Sequence, residues 1–331
     1  MKAISTTIVL AAITVNGMAQ FNTSNKVLFE RKTFPLSAVK NLDLTTSGGT
    51  IYAEGATNGE AILEVYVSGN NGKSISLEDA KQRIADNYKY ASGLDGNTLF
   101  AKVESKNKIG GFWGGNKNNV SISYKVIVPI QTSSKLNTSG GSIQVLHLKG
   151  EENLNTSGGS LTISDVNGHL KANTSGGSVT LKQSAGELAV STSGGSLHLE
   201  NLKGNVKGST SGGSIEATTV SGSLSVSTSG GSINLKNIAA TTTASTSGGS
   251  VHADFTDPGE GIKLSSSGGG IHIHVPKNKG YDLDLRGDRV NISNVAMQGS
   301  ITKSKIVGRT NGGGIQLQAS TSGGSVNVDM D

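Results

Sequence analysis

The chain has 331 residues, no cysteine, 47 glycines, an aromatic content of 4% and a formal charge of +5. The lack of cysteine excludes disulfides and a lipid-anchor cysteine, and the scarcity of aromatics requires an aliphatic core. The cations are dispersed among acidic residues, which excludes a nucleic-acid footprint, and glycine recurring every 18 residues instead of every third excludes collagen.

At the start of the chain, Lys2 precedes an apolar run from Ile8 to Val15, followed by Gly17-Met18-Ala19. A single cation, an apolar run too short to span a bilayer and small residues at the end predict a secretory signal peptide over 1–19, cleaved after Ala19. The mature chain then begins at Gln20 and is expected in the periplasm, on the outer surface or outside the cell. No later segment is apolar for long enough to cross a membrane as a helix.

Residues 20–135 form a strand-rich lead-in that caps or extends the periodic region beyond it. Val27–Glu30, Leu42–Leu44, Ala61–Val67 and Val120–Val126 alternate in polarity and are rich in β-branched residues, which predicts strands. Ser76 followed by Leu77, Glu78 and Asp79 is an N-cap signature, and predicts one helix running to about Tyr90. Phe112 and Trp113 sit in a glycine-rich loop, Gly110–Gly115.

From residue 136 onward the chain is periodic. Seven copies of Thr-Ser-Gly-Gly-Ser begin at Thr138, Thr156, Thr174, Thr192, Thr210, Thr228 and Thr246, each 18 residues after the last. With Thr as position 1, positions 6 and 8 are aliphatic, as in Ile143 with Val145 and Leu161 with Ile163. Position 11 is mostly aliphatic, position 13 is mostly glycine, and positions 15 and 17 alternate again, as in Leu188 with Val190. Each unit thus reads as two short strands with one face inward, separated by two glycine-bearing corners where positive φ is expected.

One such unit cannot fold alone. Its aliphatic side chains contribute roughly 1.5–3 kcal/mol each, while ordering costs about 1.5 kcal/mol per residue. Stacking closes the core from both sides and adds ladder hydrogen bonds, so the predicted fold is all-β, a parallel β-solenoid of 18-residue coils over 136–331. The coils are regular to about residue 265 and looser beyond, and seven of them at about 4.8 Å make a rod roughly 30 Å long.

The recurring Thr-Ser-Gly-Gly-Ser-aliphatic-x-aliphatic unit, the leader and the lead-in ending in Val126-Ile127-Val128-Pro129 resemble the exported bacterial candidate-adhesin family of β-strand-repeat proteins. The resemblance covers most of the mature chain. It implies a secreted, periplasmic or surface-exposed protein and supplies no catalytic residues to carry over.

Several residues could carry function. His252 occupies position 7 of its repeat, His272 the same position of the next, and His274 follows two residues on. Stacked coils would bring these three imidazoles to one outward face, where they could bind a divalent transition metal. Position 7 is nonetheless polar in every unit, so they also read as ordinary outward residues. Phe112 and Trp113 could anchor a partner, or cap the open end of the stack.

Arg286-Gly287-Asp288 falls where a strand turn is expected, and Asn137, Asn155 and Asn173 read as ladder residues beside the Thr corner. Apolar residues stand where a calcium roll needs Asp, and no phosphate loop is present. No cofactor is expected.

Repetition without a catalytic constellation predicts a non-enzymatic, exported structural or adhesin-like protein of the cell envelope, with a polysaccharide or an envelope protein as partner. The alternative, a polysaccharide-active β-helix enzyme, needs acids aligned in adjacent coils, and Glu216, Asp165 and Glu200 fall at different positions. Ice binding needs a flat Thr-x-Thr face, whereas position 1 supplies a single rank beside a corner.

Overall fold

Each 18-residue unit is laid down as two strands meeting at a corner, and the next unit falls on it in register. In the computed structural model, which describes residues 21–106 and 119–331, strand Lys149–Asn155 pairs in parallel with Asn167–Asn173, and that strand pairs with Ala185–Ser191. The second strand of each unit does the same: Ile143–Leu146 pairs with Leu161–Ser164, which pairs with Val179–Lys182. Later units run through their corner as continuous strands, Leu197–Thr210, Ile215–Thr228 and Ile233–Thr246.

The inward positions follow from the two-residue period of a strand. Ile143, Leu161, Val179, Leu197, Ile215, Ile233 and Val251, all at position 6, are 0% exposed. Positions 8, 11, 15 and 17 complete one continuous aliphatic core.

The Thr-Ser-Gly-Gly-Ser corner is held by a buried hydroxyl. Thr156 Oγ1 donates to the carbonyl of Gly141 in the preceding unit at 2.8 Å and accepts from the N–H of Gly159 in its own at 3.3 Å. Thr174 and Thr192 repeat the pair of bonds, and Ser266 substitutes for Thr with both bonds kept. The second glycine is required by close approach of neighbouring backbones. A Cβ on Gly159 would lie 2.0 Å from the Gly141 carbonyl oxygen.

Positive φ is distributed differently from the expectation. The Gly-Gly corner has none. It occurs at four of the five position 13 glycines, Gly168 at 129°, Gly186 at 122°, Gly204 at 115° and Gly222 at 108°, and at position 10, where His147, Asp165, Gln183, Asn201, Thr219 and Asn237 all adopt the left-handed conformation. Asn and Asp tolerate that region best, which suits this corner to polar residues.

The sheet is mixed, and the expectation of a wholly parallel stack is corrected at both ends. Strands Thr98–Ser105 and Val120–Pro129 pair in parallel with Asn41–Thr45 and Ile51–Ala56, which in turn pair with Ser133–Asn137 and Ile143–Leu146. Beyond them the pairing becomes antiparallel: Tyr88–Asp95 lies on Thr98–Ser105, Glu60–Gly69 on Val120–Pro129, and Val27–Pro35 on Glu60–Gly69. The helix α1, Leu77–Asn87, is capped by Ser76, whose Oγ accepts from the Asp79 N–H at 3.1 Å. It buries Ala80 and Ile84 and stops short of the expected Tyr90, because Tyr88 already begins a strand.

At the other end, chain order and spatial order part company. The rung Gly261–Ser266 and Ile271–Val275 is followed in space by Ile315–Thr321 and Ser325–Met330, with Tyr281–Arg286 and Arg289–Ser293 lying outside those. Antiparallel strands Lys305–Thr310 and Met297–Ile301 finish that edge. The late rung carries a further full copy of the motif, Thr321–Ser325, and Thr321 Oγ1 donates to the Gly269 carbonyl at 2.6 Å.

Candidate functional site

The parallel register of four neighbouring strands assembles the histidines. His252 lies opposite His272, Asp254 opposite His274, His274 opposite Asp329, and Asp329 opposite Ser293. The rings of His252 and His272 are stacked with centroids 6.1 Å apart, and those of His272 and His274 likewise. Only two of the three expected residues share a donor cluster: nitrogen atoms of His272 and His274 and an oxygen of Asp329 all lie within 4.8 Å of one another.

Asp329 Oδ2 is 3.2 Å from His272 Nε2 and 3.5 Å from His274 Nε2, while His274 Nδ1 is 3.2 Å from Asp331 Oδ2. Ser293 Oγ donates to the other oxygen of Asp329. That hydroxyl, and then the two imidazoles, hold the Asp329 carboxyl below the usual carboxylate range. The side chains of His272, His274 and Asp329 are 43%, 42% and 32% exposed, so the cluster is reachable from solvent.

Asp329 and Asp331 escape the repeat alignment because the rung that bears them comes late in the chain. Their signal was available. Numbered from Thr321, Asp329 falls at position 9, the position of His274 numbered from Ser266.

A second polar surface lies on the face built by the longer strands. Glu151, His169 and Glu187 occupy position 14 of successive units and face one another in register, with His169 Nε2 3.5 Å from Glu187 Oε2. Together with Asn153, Lys171 and Lys207 they line a shallow depression. Glu151 and Glu187 share this column two units apart, with His169 between them, so they do not stand in adjacent coils. The acids weighed from the sequence are each paired instead: Asp165 with His147 at 2.8 Å, Glu200 with Lys182 at 2.7 Å and Glu216 with His198 at 3.2 Å.

Glu152 adjoins this surface but turns into the core at position 15, where it faces Ser134 and Leu170 and where Leu188 and Val206 fill the same position in later units. It is 2% exposed. Ser134 Oγ donates to Oε2, while Oε1 has no hydrogen-bond partner among the described residues. Burial raises its pKa to about 7, and the bonds from Ser134 only partly oppose that rise.

The asparagines form the expected ladder: Asn155 Nδ2 donates to Asn137 Oδ1 at 3.2 Å and Asn173 Nδ2 to Asn155 Oδ1 at 3.1 Å, and Ser191 continues it. Gly287 and Asp288 form the turn between two strands, and Arg286 is forked onto Asp284 at 2.8 and 2.9 Å. Phe112 and Trp113, and the expected signal peptide over 1–19, lie outside the described residues. Among the described residues no helix is long and apolar enough to cross a membrane.

Three crystal structures resemble this chain at low identity. A candidate adhesin from Bacteroides fragilis is 13% identical, with 90% of this chain and 96% of that one covered at a TM-score of 0.40. A candidate lipid-binding protein from Parabacteroides distasonis is 18% identical, with 90% and 96% covered at 0.38. A candidate adhesin from Parabacteroides merdae is 13% identical, with 90% and 95% covered at 0.37. None of the curated proteins matches the chain. Residues 64–329, from the first antiparallel strands through the late rung bearing Asp329, match the model of the Toastrack family, DUF4097, and the chain belongs to that family.

Proposed function

We propose that this chain is a non-enzymatic, exported, adhesin-like structural protein of the bacterial cell envelope, built on a parallel β-solenoid of 18-residue coils. The observation that carries the reading is the register of the repeats through Thr246, in which each residue faces its own equivalent 18 residues on in the next unit. An outward position therefore becomes a column of polar side chains at a spacing of about 4.8 Å. A repeating surface of this kind suits a repeating ligand. The face with Asn153, His169, Lys171, Glu187 and Lys207 offers amide, imidazole and both signs of charge, the groups that hydrogen-bond sugars, so a cell-surface polysaccharide is the partner it fits best. The apolar leader at residues 8–15 supports export.

The test is binding of the purified chain to immobilised envelope polysaccharide, lipid and protein fractions. Saturable binding to polysaccharide, weakened at least tenfold by the double substitution Lys171→Ala and Lys207→Ala, supports the reading. Binding to none of the three fractions would sink it. Turnover of a uronic polysaccharide that is lost in Glu151→Gln or Glu187→Gln would replace it with the enzyme reading.

A further inference from the structure

The geometry points to a divalent transition-metal site of two imidazoles and one carboxylate, His272, His274 and Asp329, on the outward face of the last rungs. The set differs from a column of three histidines, because His252 only stacks on His272 while the carboxylate completes the donor cluster. The site is independent of what the polysaccharide-binding face does.

Four features fit a metal of the zinc class. First, a tetrahedral ion with bonds of about 2.0–2.1 Å separates its donor atoms by about 3.3–3.4 Å. The two nitrogen-to-oxygen separations here are 3.2 and 3.5 Å and all three donor atoms lie within 4.8 Å of one another, so two of the three separations already match a bound ion. Second, His272 and His274 are two residues apart on one strand and project to the same side. Third, the outer groups are already in place. Ser293 occupies Oδ1 of Asp329 and leaves Oδ2 turned to the imidazoles, and Asp331 accepts from Nδ1 of His274, which leaves Nε2 as the free donor. Fourth, imidazole with carboxylate suits Zn²⁺, Co²⁺ or Ni²⁺ over Mg²⁺ or Ca²⁺, and three protein donors leave an open position for water or a ligand group.

The site also spans the discontinuity in chain order. Its histidines belong to Ile271–Val275, Asp329 to the late strand Ser325–Met330, and Ser293 to Arg289–Ser293 on the far side. A bound ion would therefore fasten the inserted rung to its neighbour, and metal binding should stabilise this end of the molecule.

The experiment is calorimetric titration of metal-free, tag-free protein with Zn²⁺ alone, with Co²⁺ as a spectroscopic probe. We expect one ion per chain, a visible cobalt spectrum of tetrahedral type, and a rise in the unfolding midpoint with saturating Zn²⁺. His272→Ala, His274→Ala and Asp329→Asn should each weaken binding by a hundredfold or more. Ser293→Ala and Asp331→Asn should weaken it about tenfold. His252→Ala should stay within about threefold of the parent. Metal-free unfolding midpoints of all variants separate loss of ligand from loss of fold. Zn²⁺ binding that is undetectable below millimolar concentration overturns the assignment, as does binding unchanged by Asp329→Asn. Equal loss in His252→Ala overturns this donor set.

Discussion

Replacing Glu152 by Leu should make the protein more stable at neutral and alkaline pH, by an amount the structure sets. The carboxyl takes a core position that Leu170 and Leu188 fill in the next two units, and one of its oxygens has no partner among the described residues. Its pKa rises from an ordinary 4.5 to about 7 on folding. Below about pH 4.5 both folded and unfolded chains hold the proton and the group is neutral in its effect. Between 4.5 and 7 the unfolded chain releases the proton while the folded one retains it, so stability falls as pH rises through that window and levels off above it. At about 1.4 kcal/mol per pKa unit, the loss comes to about 3 kcal/mol. Urea unfolding of the parent, Glu152→Gln and Glu152→Leu between pH 4.5 and 8.5 measures it. The parent should lose about 3 kcal/mol relative to either variant across that range, and Glu152→Leu should be the most stable of the three at pH 8. A parent-to-variant difference that does not change with pH would refute the argument, because it would mean that the carboxyl titrates alike in both states.

Three further outcomes follow from the corners. Gly195→Ala would place a Cβ 2.2 Å from the Gly177 carbonyl oxygen and should lower stability by about 3 kcal/mol or more, whereas Gly194→Ala meets nothing closer than 3.5 Å and should stay within about 1 kcal/mol; denaturant midpoints compare the two. Thr192→Val removes the hydroxyl that joins the Gly177 carbonyl to the Gly195 N–H and should cost about 1–3 kcal/mol, while Thr192→Ser, which keeps it as Ser266 does, should cost clearly less in the same assay. Thr219 is β-branched and held at φ 58°, so Thr219→Asn should raise the unfolding midpoint by an amount corresponding to about 1 kcal/mol.

The interior of the repeat was legible because two independent periods coincide in it. Alternation at positions 6 and 8 states which side chains face inward, and the 18-residue recurrence states what each one meets, so the burial of Ile143, Leu161 and Val179 needed no knowledge of distant contacts. The glycines were legible as corners, but the reason for one of them was not. Gly159 and its equivalents are needed because the backbone of the preceding unit passes too close for a side chain, a contact between chain segments that no local φ preference reveals. The left-handed residue at position 10 was hidden for the opposite reason. Five different side chains occupy its six instances, and the ladder holds His147, Gln183 and Thr219 there as well as the Asn and Asp that tolerate it best.

The ends were least legible, and the physical cause is insertion. Within the repeats a unit pairs with the unit just made, so the sequence interval and the spatial interval are the same. At the late rung they are not: Ile271 faces Val326, and the strands between them lie outside the strand that is added last. Closing that larger loop brings entropy losses before any ladder bond is formed, so the rung bearing Asp329 should assemble after the repeats on which it rests. The histidines were visible from their period alone. The position of their carboxylate was visible too, since Asp329 falls at position 9 of the late motif copy. Its pairing was not, because it reaches them through a late rung out of chain order, and that same late pairing is what a bound ion across His272, His274 and Asp329 would secure.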